Sequence, residues 1–182
     1  LIDLAMDRGT VDEKTEASLE RQLQRLLALV ERLKSFSRPE AMQTEPTDIN
    51  DVVDGTLSMI RTELQHEAVV LTLDLAEDLP PVDAVPTQLD RVLLNLCLNA
   101  VEAMEERPKS LRIETELDGE EIALSVTDTG PGIPPEQQAR LFEPFFTTKE
   151  TGTGMGLFSC RRIVEDEHDG SIEIDSRVGE GT

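Results

Sequence analysis

An alternating apolar pattern over residues 121–127 ends on Asp128 and runs directly into a loop of glycines and prolines. Apolar residues at every second position are typical of a strand with one buried face. The loop Gly130-Pro131-Gly132-Ile133-Pro134-Pro135 is stiffened by its prolines, and its glycines let backbone approach another group closely. A carboxylate at the strand end can accept hydrogen bonds from an amino group such as that of adenine. The segment therefore predicts a binding loop, although a strand ending in Asp-Thr-Gly often leads only into a turn.

A second glycine cluster, Gly152-Thr153-Gly154-Met155-Gly156-Leu157, opens an apolar run that continues to Val164. Glycines at the start of a helix leave backbone N–H groups free to point at an anion, and the helix dipole adds positive potential. The cluster lacks the Gly-Lys-Ser/Thr of a Walker loop and the preceding strand of a dinucleotide fingerprint. We interpret it as a phosphate cradle, with a flexible linker as the alternative.

Residues 88–104 contain no proline or glycine, and their apolar residues recur at helical spacing. Asn95 and Asn99 lie four residues apart, so a helix stacks their amides on one side. Asparagine is disfavoured inside helices unless its side chain has a task. Two carboxamide oxygens can hold a hard cation such as magnesium, which keeps several of its waters. The alternative is a pair of amides that pack against a neighbouring helix.

Along the chain, the helix with its two asparagines comes first, the loop after Asp128 second and the second glycine cluster third. In this order they resemble the asparagine box and the two glycine boxes of the Bergerat ATP-binding fold, which is shared by gyrase, the Hsp90 chaperone, MutL and sensor histidine kinases. Residues 141–149, Leu-Phe-Glu-Pro-Phe-Phe-Thr-Thr-Lys, look like the phenylalanine box of histidine kinases. A predicted strand over residues 171–176 leads to Gly179-Glu180-Gly181-Thr182, which resembles the closing glycine box. The resemblance covers about residues 40–182.

An upstream heptad pattern points to the kinase branch of this fold. Apolar residues spaced alternately four and three apart form the narrow seam of a helical bundle or coiled coil. The seam consists of Leu19, Leu23, Leu26, Val30 and Leu33. The helix ends at Phe36-Ser37-Arg38-Pro39, where proline breaks it. This segment resembles the second helix of the dimerisation and phosphotransfer domain, so we expect a partial helical hairpin over residues 1–39 and an ATP-binding domain over residues 40–182.

The resemblance implies a role for each matching residue. Asp128 would accept from the adenine amino group with Thr182 nearby, and Gly130, Gly132 and Ile133 would receive the base. Asn99 would coordinate magnesium with Asn95 assisting. The phosphates would lie against Thr153, Gly154, Met155, Gly156 and Leu157. Lys149 could reach the terminal phosphate, although a surface lysine is nearly as good an interpretation.

Three positions depart from the patterns of relatives. Gyrase-like ATPases carry a water-activating glutamate at the position of Asn95, so slow hydrolysis and transfer to a histidine are expected here. Many histidine kinases have a lysine three residues after the magnesium-binding asparagine, where this chain has Glu102, a pattern that resembles the nitrogen-regulation subgroup. Asp169 stands where family members often have glycine.

The phosphoacceptor motif of such kinases is missing from this sequence. The only histidines, His66 and His168, lack its context, and we interpret both as structural or solvated, although a cation at His168 would suit a helix end. No catalytic residue is therefore assigned within the chain beyond an assisting role for Asn95. We expect a segment of a longer kinase whose acceptor histidine lies upstream of Leu1.

Composition limits the partners and the location. A formal net charge of −21 argues against general nucleic-acid or anionic-membrane binding and makes nucleotide binding depend on Mg²⁺ and backbone dipoles. Cys97 and Cys160 lie in apolar helical runs, which predicts buried reduced thiols and a cytoplasmic location. No run approaches the ~20 apolar residues that span a bilayer. A membrane anchor of the parent protein would lie outside this chain.

The pattern of elements predicts an α+β fold, a two-layer α/β sandwich with helices on one face of a mixed sheet. We expect a helix over residues 49–64 capped by Asp48 or Asn50, and a strand over residues 69–75. A proline-broken loop should follow over residues 74–86, and a hairpin should turn at Asp118-Gly119. A short helix is expected over residues 135–141.

The sequence thus predicts the ATP-binding catalytic region of a sensor histidine kinase, a protein-histidine kinase that uses ATP and Mg²⁺. It would act as a homodimer through the helical hairpin, and its phosphoryl group would pass to an aspartate of a response-regulator receiver domain. A nucleotide-responsive binding module without phosphotransfer is the alternative from another class. An anti-sigma-type serine kinase of the same fold is a third, which the heptad helix disfavours.

Overall fold

A computed structural model describes residues 43–104, 108–149 and 152–182 of the chain. The chain divides into two units, and every helix and strand named below belongs to the larger unit, Ala41–Phe146 with Gly154–Thr182. The segment Thr147–Thr153 belongs to the other unit. The predicted helical hairpin and its heptad seam lie outside the described residues. The described helices include none long and apolar enough to cross a membrane.

The described chain contains five strands and four helices. In order they are β1 (Glu45–Thr47), α1 (Ile49–His66), β2 (Val70–Leu75), β3 (Val82–Ala84), α2 (Pro86–Ala103), β4 (Ser110–Asp118), β5 (Glu121–Asp128), α3 (Pro135–Gln138) and α4 (Gly156–Arg161). A π-helical turn, Arg162–Asp166, continues α4.

The central sheet is mixed, as the sequence predicts. Its strand order is β2-β4-β5, with β2 parallel and β5 antiparallel to β4. The hairpin pairs Asp118 with Glu121, so the turn residues are Gly119 and Glu120, one position beyond the predicted pair. A separate antiparallel pair joins β1 to β3.

Helices α1 and α2 cover one face of the sheet, which confirms the predicted two-layer sandwich. The core combines apolar residues of both helices with those of β4. Its most buried members are Val53, Leu93, Cys97, Leu111 and Ile113. Asp48 caps α1 by accepting a hydrogen bond from the Asn50 backbone at 2.8 Å, so the first of the two predicted capping residues is the one used.

Three local predictions are wrong in the described structure. Val82–Ala84 forms β3 inside the stretch predicted to be a loop, because these residues lie between the prolines and pair with β1. The short helix α3 ends at Gln138, after which Arg140 donates to the Gln137 carbonyl at 2.9 Å in a tighter turn. Residues 171–176 alternate between exposed and half-buried, yet no described strand pairs with them, so they form no ladder.

Both cysteines are buried and free, as predicted. Burial raises the pKa of the Cys97 thiol to about 12 and that of Cys160 to about 11. Thiols with such pKa values remain protonated at neutral pH and act as small apolar side chains.

His168 is structural and His66 is solvated. The Nε2 atom of His168 accepts from the Val85 backbone N–H at 3.0 Å, and its Nδ1 lies 2.7 Å from the Ile163 carbonyl oxygen. Only a neutral ring with its proton on Nδ1 satisfies both partners. His168 thereby joins the π-helical turn to the residue before α2, whereas the His66 side chain is 80% exposed.

We predict that His168→Ala destabilises the domain. The substitution leaves the partly buried Val85 N–H without its acceptor, which costs about 1–3 kcal/mol of unfolding free energy. Urea unfolding followed by circular dichroism measures the change, and His66→Ala serves as the matched control with an effect within about 0.5 kcal/mol. Equal effects of the two variants would contradict the structural role of His168.

Candidate nucleotide-binding site

Asp128 ends β5 as a buried carboxylate that is only 8% exposed. Its Oδ1 accepts from the Gly130 N–H at 2.7 Å, and its own backbone N–H donates to the Thr182 carbonyl at 2.8 Å. Burial raises the pKa of the Asp128 carboxyl, and backbone hydrogen bonds from Gly130 and Thr182 act in the opposite direction. A carboxylate has about four lone-pair sites, so acceptor capacity remains for a donor on a ligand.

Thr129 fixes the chain immediately after this carboxylate. Its Oγ1 accepts from the Ser110 N–H at 3.0 Å and donates to the Pro108 carbonyl at 3.1 Å. Its backbone N–H also donates to the Ser110 carbonyl, at 3.2 Å. These bonds tie the end of β5 to the start of β4. The sequence carries no local signal for this anchor, because its partners are distant along the chain.

The loop after Thr129 folds against the closing turn of residues 176–182. Gly132 has φ +68°, and a Cβ there would lie 2.0 Å from the Arg177 carbonyl oxygen. The Ile133 N–H donates to Ser176 Oγ at 2.8 Å. The structure thus brings Asp128, Gly130, Ile133 and Thr182 together, and glycine at 132 is required by the neighbouring backbone itself.

The two asparagines of α2 have different surroundings. Asn95 Nδ2 donates to the Gly156 carbonyl at 3.2 Å, and a Cβ on Gly156 would approach Asn95 Oδ1 to 2.9 Å. The half-buried Asn99 amide, one turn further along, has no hydrogen-bond partner among the described residues. Packing therefore accounts for Asn95, whereas no described residue accounts for the Asn99 amide.

Helix α4 begins at Gly156, inside the predicted phosphate cradle. The carbonyl of Gly154 accepts from the Phe145 N–H at 3.0 Å, and the carbonyl of Met155 accepts from Ser159 at 2.9 Å. Leu157 is the second residue of the helix. The Arg161 guanidinium lies 5.4 Å from the centre of the Phe142 ring, which links α4 to the phenylalanine-rich stretch.

Lys149 and Thr153 belong to the segment Thr147–Thr153, which is part of the other unit. Within that segment the Lys149 N–H donates to Thr147 Oγ1 at 3.1 Å. Their predicted contacts with phosphate remain predictions.

Two further observations limit where a ligand or metal could bind. The described residues contain no group of three or more His, Cys, Asp or Glu side chains placed to hold a metal ion. A cleft of about 540 Å³ lies between α1 and β2, lined by residues such as Leu57, Arg61, Leu71 and Leu73. None of the predicted site residues lines that cleft. A magnesium ion in the candidate site would therefore depend on amide oxygens, phosphate and water, which suits its preference for oxygen ligands.

Comparisons with known proteins show the family to which this fold belongs. The sequence profile of the histidine kinase-, DNA gyrase B- and HSP90-like ATPases matches residues 84–182. The chain belongs to this family and is similar to the catalytic region of sensor histidine kinases.

Individual relatives show how far the similarity extends along the chain. Sporulation kinase E of Bacillus subtilis (strain 168) is 32% identical over 161 residues, which cover 88% of this chain and 22% of that protein. The chain therefore spans about a fifth of this relative's length. The solved catalytic domain of histidine kinase ThkA is 34% identical with a TM-score of 0.70, over 77% of this chain and 93% of that domain. The complex of ThkA with the response regulator TrrA gives 27% identity and a TM-score of 0.76, over 96% of this chain and 50% of the ThkA chain.

We predict that Asp128→Asn leaves the nucleotide-free domain as stable as the wild type or makes it more stable at pH 7. A raised pKa means that the folded state resists ionisation, so stability is lost as pH rises through the folded pKa. Asparagine removes the charge and retains Oδ1 as an acceptor for Gly130. The advantage should shrink as pH falls towards about 4, where the wild-type carboxyl becomes protonated in both states.

Urea unfolding midpoints at the two pH values test this, with Asp74→Asn as the control. The Asp74 side chain is 68% exposed and pairs with Arg112 at 2.9 Å, so its substitution should lower stability by about 0–1 kcal/mol. Destabilisation of Asp128→Asn by more than about 1 kcal/mol at pH 7 would show that the ionised carboxylate contributes to folding.

Proposed function

We propose that this chain is the ATP-binding catalytic region of a sensor histidine kinase, which transfers the γ-phosphate of ATP to a histidine on another segment. The observation that carries the proposal is the buried Asp128 carboxylate at the end of β5, which has acceptor capacity left for the adenine amino group. Membership of the ATPase family and the likeness to the ThkA catalytic domain support it.

The asparagines of α2 fit the magnesium-bearing end of such a site. Asn99 would coordinate Mg²⁺ through its amide oxygen, since that amide has no partner among the described residues. Asn95 would assist chiefly by holding Gly156, and with it the start of α4, against α2. Magnesium would neutralise phosphate charge, which matters for a chain of net charge −21.

Backbone N–H groups at Gly154, Met155, Gly156 and Leu157 would receive the phosphates, together with Thr153 and Lys149. The helix that follows adds the positive end of its dipole. Asn95 is a poor base, so water would be activated weakly and the phosphoryl group would be kept for a histidine. The acceptor would come from another segment, because neither His66 nor His168 has the sequence context of an acceptor.

We further propose two protein partners. The solved complex of ThkA with TrrA supports a response-regulator receiver domain as the recipient of the phosphoryl group. The heptad seam from Leu19 to Leu33 supports a homodimer formed through the helical hairpin, because a narrow apolar stripe requires helical partners.

Variants at the two ends of the site should separate base recognition from metal binding. Asp128→Asn should weaken ATP binding about 10–100-fold with or without Mg²⁺, because its amide N–H₂ would oppose the adenine amino group. Asn99→Ala should weaken binding when Mg²⁺ is present and match the wild type when a chelator removes the metal. Isothermal titration calorimetry measures both, with Asp74→Asn as the control that leaves affinity unchanged.

Two outcomes would contradict the proposal. Absence of ATP binding by the wild-type chain at millimolar nucleotide would remove its basis. Transfer of radiolabel from γ-labelled ATP onto His66 or His168 would show that the acceptor assignment is wrong. We expect label to appear only on a separately supplied acceptor-helix dimer, where transfer in trans would distinguish the kinase from a nucleotide-responsive module without phosphotransfer.

A further inference from the structure

The hydroxyl of Ser176 has three hydrogen-bonding partners drawn from two separate segments of the chain. Its Oγ accepts from the Ile133 N–H at 2.8 Å, in the loop that follows Asp128. The same oxygen lies 2.9 Å from the Gly181 carbonyl oxygen and 2.9 Å from Thr182 Oγ1. One half-buried side chain therefore joins the loop to the closing turn.

The chemistry of these partners assigns both hydroxyl protons. A serine hydroxyl carries one proton and two acceptor lone pairs. The Gly181 carbonyl can only accept, so the Ser176 proton points to that oxygen. The Ile133 N–H fills one lone pair of Ser176, and the remaining lone pair accepts the proton of Thr182. The Thr182 oxygen consequently keeps its lone pairs and has no proton left to donate.

Thr182 is also a direct neighbour of the buried carboxylate. Its carbonyl accepts from the Asp128 N–H at 2.8 Å, and a backbone hydrogen bond from Thr182 reaches the carboxylate. We propose that Ser176 is a positioning residue that fixes the Thr182 hydroxyl as an acceptor on the residue that bonds to the Asp128 backbone, and so makes the site select a purine with an amino group rather than a carbonyl oxygen at C6. This inference rests on the proposed function, because it requires the base of the nucleotide to reach Asp128.

The selectivity follows from the edges of the two purines. Adenine carries an exocyclic amino group, a donor, where guanine carries a carbonyl oxygen, an acceptor. Two fixed acceptors suit the amino group and oppose the carbonyl. Removal of the Ser176 hydroxyl would free the Thr182 proton, so that the threonine could turn and donate to a carbonyl. Ser176 would then govern the ratio of affinities for the two nucleotides more than the affinity for either one.

The loop has other supports that should keep it in place without this hydroxyl. Gln138 Nε2 donates to the Ile133 carbonyl at 2.6 Å and to the Ser176 carbonyl at 2.9 Å. The Gly179 N–H donates to the Pro131 carbonyl at 2.8 Å. These bonds involve no side-chain atom of Ser176, so Ser176→Ala is expected to fold.

The test measures dissociation constants of the full chain for Mg-ATP and Mg-GTP by calorimetry. Ser176→Ala should lower the preference for ATP about tenfold, the change expected for one hydrogen bond. Ser176→Thr, which retains a hydroxyl, should restore the wild-type ratio. Ser125→Ala, at an exposed position on β5, is the matched control and should change neither the ratio nor the melting temperature.

An unchanged ratio in Ser176→Ala would overturn the inference, as would an equal loss of affinity for both nucleotides. Thr182→Val provides an independent variant, which should lower the ratio as Ser176→Ala does, and an unchanged ratio there would also overturn it. Wild-type chain that binds neither nucleotide would instead contradict the proposed function on which the inference rests. The ratio of the two dissociation constants can be measured only if the wild type binds nucleotide. A failure of the inference therefore cannot be mistaken for a failure of the proposed function.

Discussion

The hydrogen bond from the Asp128 backbone to the Thr182 carbonyl joins two parts of the chain that are distant in sequence, and the candidate site depends on this junction. It places the closing turn against the loop after β5, so that Ser176 can reach the Ile133 N–H. Gly132 accommodates the contact, because any side chain there would strike the Arg177 backbone. Without the junction, Asp128 would lose the neighbour that supplies two of its backbone hydrogen bonds.

The same junction surrounds the Asp128 carboxyl and contributes to its burial. Burial raises the pKa of the Asp128 carboxyl, which means that the ionised group is held in surroundings that do not favour its charge. A ligand that donates a hydrogen bond to the carboxylate relieves part of this penalty. Shifted carboxyl groups of this kind are concentrated at functional sites for that reason. The pairing of Asn95 with Gly156 has a simpler role, since it packs α4 on α2.

Features that depend on short-range patterns could be predicted from the sequence. The alternation before Asp128 predicted β5, and the spacing of apolar residues around Asn95 and Asn99 predicted α2. Features that depend on partners far along the chain could not. Ser176, Gln138 and Thr129 carry no local signal, because their importance comes from contacts with distant backbone.

The errors have the same physical origin. Residues 171–176 alternate as a strand should, but a strand also requires a partner, and no described strand pairs with them. The prolines at 80, 81 and 86 predicted a loop where the structure has β3, because the pairing of β3 with β1 is a non-local interaction. His168 does end the helix, as predicted, but its contact with the Val85 N–H is non-local and could not be predicted from the sequence. Asp169 has φ +54°, a conformation that glycine adopts most easily, so the structure is compatible with the glycine that the family resemblance implies at this position.

The central claim is that the base of the nucleotide binds at Asp128 while the phosphates bind at the start of α4. Amide chemical shifts in NMR titrations with two partial ligands test this most directly. Adenosine, which lacks phosphate, should shift the amide signals of residues 128–133 and 181–182 and leave those of residues 154–157 unchanged. Magnesium tripolyphosphate, which lacks a base, should shift residues 154–157 and the side-chain amide of Asn99. Adenosine shifts confined to the cleft between α1 and β2, at Leu71 and Leu73, would contradict the account.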